Sequence, residues 1–133
     1  MIWVFDTDVV SVLLRSRSHS PLHERLARTP VEAQAVTSIT VGEVSYGASK
    51  VGRAELFDRA LSVFTTMQVL PFDDRAARVY GPLRARLEKR GLVVAEADLR
   101  IGAIALSRGA VLVTGNVKHF ARIEGLKVEN WLR

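Results

Sequence analysis

Three acidic side chains stand where they could hold a divalent cation. Asp6 directly follows the apolar run Ile2-Trp3-Val4-Phe5, Glu43 lies early in one predicted helix, and Asp98 lies near the start of another. Magnesium prefers oxygen ligands and keeps several of its waters, so two or three carboxylates are enough to bind it. The residue types therefore predict the chemistry of a hard cation.

Asp6 and Asp98 each have an ordinary structural explanation as well. Asp6 could be a turn or helix-capping residue, although Asp8 is the better candidate for that cap. Asp98 could be a helix-terminal acid satisfied by backbone amides. Its spacing from Ile101, Gly102 and Ala105 nevertheless predicts that it shares their sheet-facing stripe. A carboxylate there is destabilising unless a metal, a helix N-terminus or an arginine compensates it.

Glu43 is ambiguous on its own, because Thr40-Val41-Gly42-Glu43 matches a capping box. We interpret Glu96 as an acid of the first helical turn, where the helix dipole favours a negative charge. The three histidines, His19, His23 and His119, do not form a zinc pattern, and we interpret them as surface residues.

The elements that must position these acids alternate between strand and helix. We predict strands at Ile2–Phe5, Ala35–Thr37, Val69–Leu70, Ala110–Thr114 and Lys127–Glu129. Predicted helices follow Asp8, begin at Pro21, and run from about Val41 to Lys50 and from Arg53 to Met67. A longer helix is predicted from Asp73 to Gly91, with a kink or break near Tyr80 caused by Pro82, and a last one from about Glu96 to Arg108. We read residues 15–20 as a loop.

This alternation predicts an α/β fold, a single domain over residues 1–133 with a central, mostly parallel sheet of four to five strands and helices on both faces. Open parallel sheets place their sites beyond the carboxyl ends of the strands. Asp6, Thr114, Gly115 and Asn116 all follow such ends, so two distant segments should meet at one edge.

The composition narrows the class of protein. The chain has 133 residues, is 48% hydrophobic and contains no cysteine, which excludes disulfides and thiolate chemistry and suits a reducing cytoplasm. Neither a signal peptide nor a membrane span is expected, so the sequence predicts a soluble protein. The net charge of +5 and the isoelectric point near 10.2 favour a nucleic-acid partner, although a charge that only confers solubility is equally ordinary.

Four segments, taken in order, resemble one known family. They are Phe5-Asp6-Thr7-Asp8, Ser38 to Gly47 (SITVGEVSYG), Ala97 to Leu106 (ADLRIGAIAL) and Leu112 to Phe120 (LVTGNVKHF). Together with the ending Gly125 to Trp131, they resemble PIN-domain toxins of the VapC type over the whole chain.

The resemblance implies a Mg²⁺- or Mn²⁺-dependent endoribonuclease in which the acids matching Asp6, Glu43 and Asp98 surround the metal. Asn116 matches a position that helps to order the metal's waters, and Thr114 matches a hydroxyl residue near them. The family's toxins usually form homodimers, act mostly on structured RNAs such as transfer and ribosomal RNA, and are inhibited by a small cognate antitoxin of the VapB type.

Three positions depart from the family pattern. Position 116 is neutral where many members carry an acid, position 119 is histidine where many carry an acid, and position 8 is aspartate where asparagine or serine is usual. A weaker second metal site is the expected consequence, which Asp8 would partly offset. Arg100 and Lys118 are candidates for holding the RNA backbone, or are ordinary surface charges.

Two other functions stay open at this stage. The neutral Asn116 would also suit a catalytically weakened module that binds RNA or an antitoxin. Phe5-Asp6-Thr7-Asp8 further resembles the nucleophile motif of haloacid-dehalogenase-type phosphatases, in which Asp6 would be phosphorylated and Asp8 would be the acid/base. That class normally needs a longer chain and a later acidic pair, and only Asp98 is available here. A receiver domain is excluded, because no middle strand carries a phospho-acceptor aspartate.

Overall fold

A computed structural model describes residues 1–15 and 19–133. In this part of the chain the strands are β1 (Trp3–Phe5), β2 (Gln34–Thr37), β3 (Gln68–Leu70), β4 (Val111–Val113) and β5 (Lys127–Glu129). The helices are α1 (Thr7–Arg15), α2 (Pro21–Ala27), α3 (Ser38–Lys50), α4 (Ala54–Phe64), α5 (Asp74–Lys89), α6 (Glu96–Ser107) and α7 (Val117–Phe120). Part of the predicted loop over residues 15–20 lies outside the described residues.

All five strands are parallel and lie in the order β3-β2-β1-β4-β5. The chain builds the sheet from β1 outward through β2 to β3 and then continues on the other side with β4 and β5. The direction of winding therefore changes between β1 and β4, which is where open α/β sheets form a crevice at their carboxyl edge. The predicted α/β fold class is confirmed.

Successive side chains along the strands belong alternately to two separate apolar clusters. Val4 and Leu112 belong to one cluster, with residues of α5 and α6. Phe5 and Val113 belong to the other, with residues of α1 and Trp131. Because successive strand residues point to opposite faces, this division means that helices cover the sheet on both sides.

Three predicted details of the helices are wrong. Helix α1 begins at Thr7, so Asp8 lies inside its first turn and is not the cap. Helix α3 begins at Ser38 rather than near Val41, because the Thr37 side chain caps it. Helix α5 is continuous through Pro82, so of the predicted kink or break near Tyr80 the break is wrong. No helix in the described ranges is long and apolar enough to cross a membrane.

Candidate active site

Asp6 occupies the carboxyl end of the central strand β1 and is only 5% exposed. Its backbone carbonyl accepts the first hydrogen bonds of α1, from Val9 and Val10, so Asp6 takes the capping position that the sequence assigned to Asp8. One carboxylate oxygen accepts the Thr7 N–H at 2.8 Å, and the other accepts the hydroxyl of buried Thr114 at 2.8 Å. The side chain is therefore fixed at the adjacent carboxyl ends of β1 and β4.

The environment of Asp6 disfavours its charge. Burial raises the pKa of this carboxyl to about 7, against the lowering effect of the Thr114 hydrogen bond, and the charges of Asp8 and Asp98 raise it further. A buried carboxylate flanked by acids is the arrangement that a nearby cation would relieve.

Asp98 projects toward the same edge from the first turn of α6. Ile101, Gly102 and Ala105 are buried, so the predicted sheet-facing stripe is confirmed. Burial raises the pKa of Asp98; His119 opposes this shift, and the charge of Asp8 adds to it.

His119 is not the surface residue that we predicted. Its Nε2 lies 3.2 Å from Oδ2 of Asp98, and the two side chains are 22% and 27% exposed. The contact is short but poorly aligned, since Nε2 is buried without a well-formed hydrogen bond. Pairing with a half-buried carboxylate explains why this polar ring packs inward.

Asp8 ties the amino end of α1 to the turn after β4. Its Oδ2 accepts the Gly115 N–H at 3.0 Å, and a Cβ on residue 115 would lie 2.9 Å from that same oxygen. Glycine is therefore needed for this close approach. The Asn116 N–H donates to the Thr114 hydroxyl at 3.0 Å, and the exposed Asn116 side chain makes no capping bond to α7.

Glu43 does not close a capping box, because the cap of α3 is Thr37 and its side chain bonds the N–H of Thr40. Instead the exposed Glu43 carboxylate accepts the hydroxyl of Thr7 at 2.7 Å. Glu43 thus meets the site through Thr7, the neighbour of Asp6.

These acids do not form a compact ligand cage. Within residues 1–15 and 19–133, no three His, Cys, Asp or Glu side chains converge closely enough to hold a metal by themselves. The charges of Asp8 and Asp98 nevertheless lie near enough to raise the pKa of Asp6, and the charge of Asp8 raises the pKa of Asp98. Because Mg²⁺ usually keeps several waters and takes only one or two carboxylates directly, the donor set fits a hydrated hard cation.

The two candidate RNA-backbone residues differ in their surroundings. The Arg100 Nε lies 3.0 Å from Glu96, and its guanidinium lies over the rings of Phe72 and Tyr80. Lys118 is exposed on α7, next to His119. Arg100 is already engaged, so Lys118 is the better placed of the two to meet a phosphate.

A cavity of about 500 Å³ opens between α1, α3 and α4, and we call it the α1–α3–α4 groove. Thr7 and Glu43 form part of its wall. The rest is mainly apolar or arginine side chains: Leu14, Val44, Leu56, Arg15, Arg53 and Arg59. An occupant of this groove would lie against Glu43.

Sequence reasoning missed the parts played by Thr7 and His119. Thr7 was visible only as a spacer between two acids, and nothing in a linear pattern shows that its hydroxyl turns toward a helix that begins 31 residues later. His119 precedes a buried phenylalanine, which is a weak signal that the segment packs inward.

Comparison with known proteins agrees with this architecture. The model of the PIN domain family matches residues 3–126. The chain is 32% identical to ribonuclease VapC2 of Rickettsia felis over 98% of both chains. It is 39% identical to the tRNA(fMet)-specific endonuclease VapC of Salmonella typhimurium over 72% of this chain and 74% of that one. The crystal structure of VapBC2 from Rickettsia felis, bound to a DNA fragment from its promoter, aligns with a TM-score of 0.86 and 33% identity over 98% and 99% of the two chains.

Proposed function

The chain belongs to the VapC ribonucleases of the PIN domain family, and on this premise we propose that it is a toxin that cleaves RNA internally. In this proposal cleavage depends on Mg²⁺ or Mn²⁺ bound beside Asp6, at the carboxyl edge of the sheet. One observation carries the metal dependence. Asp6 is buried, its pKa is raised first by that burial and then by the charges of Asp8 and Asp98, and in the described residues no arginine or lysine pairs with any of these three acids. Buried like charges of this kind persist when a cation compensates them.

We assign Asp6 and Asp98 as the direct carboxylate ligands, with Glu43 and the Asn116 amide holding the ion's waters. A bound divalent ion supplies charge neutralisation at the scissile phosphate and makes a water more acidic near neutral pH. Thr114 fixes the orientation of Asp6, and His119 restrains Asp98, as supporting partners of metal ligands commonly do. Asp8 holds the turn that carries Asn116.

Water rather than the ribose 2′-hydroxyl is the nucleophile in this proposal, so the products should carry 5′-phosphate and 3′-hydroxyl ends. Sequencing RNA ends after incubating the purified protein with transfer and ribosomal RNA and Mg²⁺ tests this. Asp6→Asn is the matched control. Ends that carry 2′,3′-cyclic phosphate would contradict the mechanism, and metal binding without cleavage would favour the weakened binding module.

The partner that we propose is a small antitoxin that binds in the α1–α3–α4 groove. The groove combines apolar side chains with three arginines, which suits a segment that carries both apolar and acidic residues. Bound there, the segment would cover Glu43 and inhibit cleavage by blocking access.

A charge placed on the apolar wall tests this binding site. Leu56→Asp should weaken inhibition by the antitoxin encoded beside this chain at least ten-fold and leave cleavage by the free enzyme unchanged. Inhibition of full strength in Leu56→Asp would remove the groove as the binding site. Homodimer formation stays a prediction, to be checked by light scattering.

A further inference from the structure

Thr7 contacts two acids of the site, Asp6 and Glu43, which belong to different parts of the fold. Its N–H donates to Oδ1 of Asp6 at 2.8 Å, and its hydroxyl lies 2.7 Å from Oε1 of Glu43. The same hydroxyl lies 3.0 Å from the Oγ1 of Thr40, which is fully buried on α3. Thr40 in turn lies 3.4 Å from the hydroxyl of Thr37, also fully buried.

The direction of these hydrogen bonds follows from counting hydrogens. Each hydroxyl has one hydrogen to donate, and the Glu43 carboxylate oxygen accepts from Thr7. Thr7 therefore gives its hydrogen to Glu43, so Thr40 must donate to Thr7, and Thr37 is left to donate to Thr40. The three hydroxyls form a one-way chain that ends on a carboxylate, and such chains polarise and strengthen one another.

We propose that Thr7 is a positioning residue that holds the Glu43 carboxylate in a fixed place relative to Asp6. The hydrogen bonds from Thr37 to Thr40 and from Thr40 to Thr7 orient the Thr7 hydroxyl so that it donates to Glu43. The inference rests on the proposed function of Glu43 and Asp6. The Glu43 side chain is exposed, and Thr7 gives it a fixed partner at the site. Without this restraint its long side chain would sample many rotamers and would hold a hydrated ion less well.

The experiment compares Thr7→Val, which keeps the shape and removes the hydroxyl, with Thr7→Ser, which keeps the hydroxyl. Mn²⁺ affinity is measured by calorimetry in the full chain, and kcat and KM are measured on one RNA. Partners that orient metal ligands typically contribute 10- to 100-fold. We expect Thr7→Val to weaken Mn²⁺ binding and to lower kcat by about that factor with little change in KM, and Thr7→Ser to stay within about three-fold of the wild type.

Three further variants separate positioning from a structural link between α1 and α3. Combining Thr7→Val with Glu43→Gln should be no worse than Glu43→Gln alone, because the restraint has then lost its target. Thr66→Val is the matched control, since among the described residues the Thr66 hydroxyl bonds only the carbonyl of Val63. Thr66 precedes the amino end of β3 and so lies away from the carboxyl edge that carries the site. Thr40→Val should give a smaller loss than Thr7→Val, and it also serves if Thr7→Val does not fold.

The results test the proposed function and the positioning role of Thr7 separately. Failure of the wild type to bind Mn²⁺ and cleave RNA would overturn the proposed function and the positioning of Glu43 with it. With an active wild type, equal loss in Thr7→Val and Thr7→Ser would overturn the positioning role alone. So would losses that simply add in the combined variant, or Mn²⁺ affinity and kcat in Thr7→Val equal to those of the wild type.

Discussion

Two acids in the first turn of α6, two residues apart, experience opposite environments. Glu96 accepts hydrogen bonds from the Tyr80 hydroxyl and from Arg100, with Arg84 also nearby, and these donors hold its pKa below its usual range. Asp98 faces the sheet, where burial and the charge of Asp8 raise its pKa. Both side chains are carboxylates in the first turn of one helix, so their different surroundings explain the opposite shifts.

The comparison separates acids whose charge the fold compensates from acids whose charge it does not. Glu96 has cationic and hydroxyl partners and needs nothing further. Asp98 has only the off-line contact with His119, and Asp6 has none with a basic residue among those described. Uncompensated buried charge of this kind marks a functional site more often than a structural one.

The largest expected effect is the difference in RNA cleavage between a variant of Asp98 and a variant of Glu96. Asp98→Asn should lower RNA cleavage about a thousand-fold or more, roughly 4 kcal/mol of transition-state stabilisation, because it removes a metal-binding charge. Glu96→Gln should stay within about three-fold of the wild type, since its carboxylate only pairs with neighbouring side chains. Initial rates on one RNA, with circular dichroism as the control for folding, decide this. Equal loss of cleavage in both variants would show that compensated and uncompensated acids do not differ in function.

The pH dependence of stability should also differ between the two kinds of acid. In metal-free protein, the pKa of Asp6 is about 7 in the fold against 3.8 for its ordinary value. The folded state therefore binds more protons than the unfolded state between about pH 4 and 7, so stability falls as the pH rises through this window. The shift corresponds to about 4 kcal/mol above pH 7.

Urea unfolding with a chelator from pH 4 to pH 8 measures this effect. Asp6→Asn should flatten the decline and be more stable than the wild type at pH 8. Glu96, whose pKa is lowered, contributes in the opposite sense, and its contribution is lost only as the pH falls through that lowered pKa. A wild-type curve that rises from pH 4 to 7, matched by Asp6→Asn, would contradict the buried charge.

Divalent metal should sharpen the contrast. Mg²⁺ at a hundred times its dissociation constant should stabilise the wild type by about 2.7 kcal/mol, because it binds only the folded state. The same addition should raise the melting temperature of Glu96→Gln equally and leave that of Asp98→Asn nearly unchanged. Identical melting temperatures of the wild type in chelator and in Mg²⁺ would argue against any metal site.

The smallest effect concerns the turn that Asp8 holds. In Gly115→Ala the new Cβ would lie 2.8 Å from Cδ1 of Leu132 and 2.9 Å from Oδ2 of Asp8, so both must shift, at a cost of about 1 kcal/mol of stability. Because the shift moves Asp8 and Asn116, cleavage should also fall. Gly81→Ala on α5, where a Cβ meets nothing within 4 Å, is the matched control and should keep full activity. Unchanged cleavage in Gly115→Ala would show that the turn does not matter to the site.

Much of the fold could be predicted because its signals are local. The unbroken apolar runs before Asp6 and before Thr114 predict buried parallel strands, and Asp73 with Gly91 correctly brackets α5. The stripe through Asp98 has the period of a helix that packs on a sheet. Each of these depends on neighbours within one or two turns, which a linear sequence contains in full.

The misassigned caps show where local reasoning stops. Asp8 and Thr40-to-Glu43 both match capping patterns, yet Asp6 and Thr37 cap these helices. The side chains of Asp8 and Glu43 bond partners 107 and 36 residues away, Gly115 and Thr7. A capping pattern cannot register such competition, because the competing donor belongs to another part of the chain.

By itself the sequence determined the α/β class, the placing of acids after strand ends and the family to which the chain belongs. Only the tertiary structure decided which acids are compensated. It paired Glu96 with Arg84 and Arg100, brought His119 to Asp98, and left Asp6 buried among like charges. The reason is physical: secondary structure follows from periodicity along the chain, whereas the energy of a charge depends on everything within a few ångströms in space.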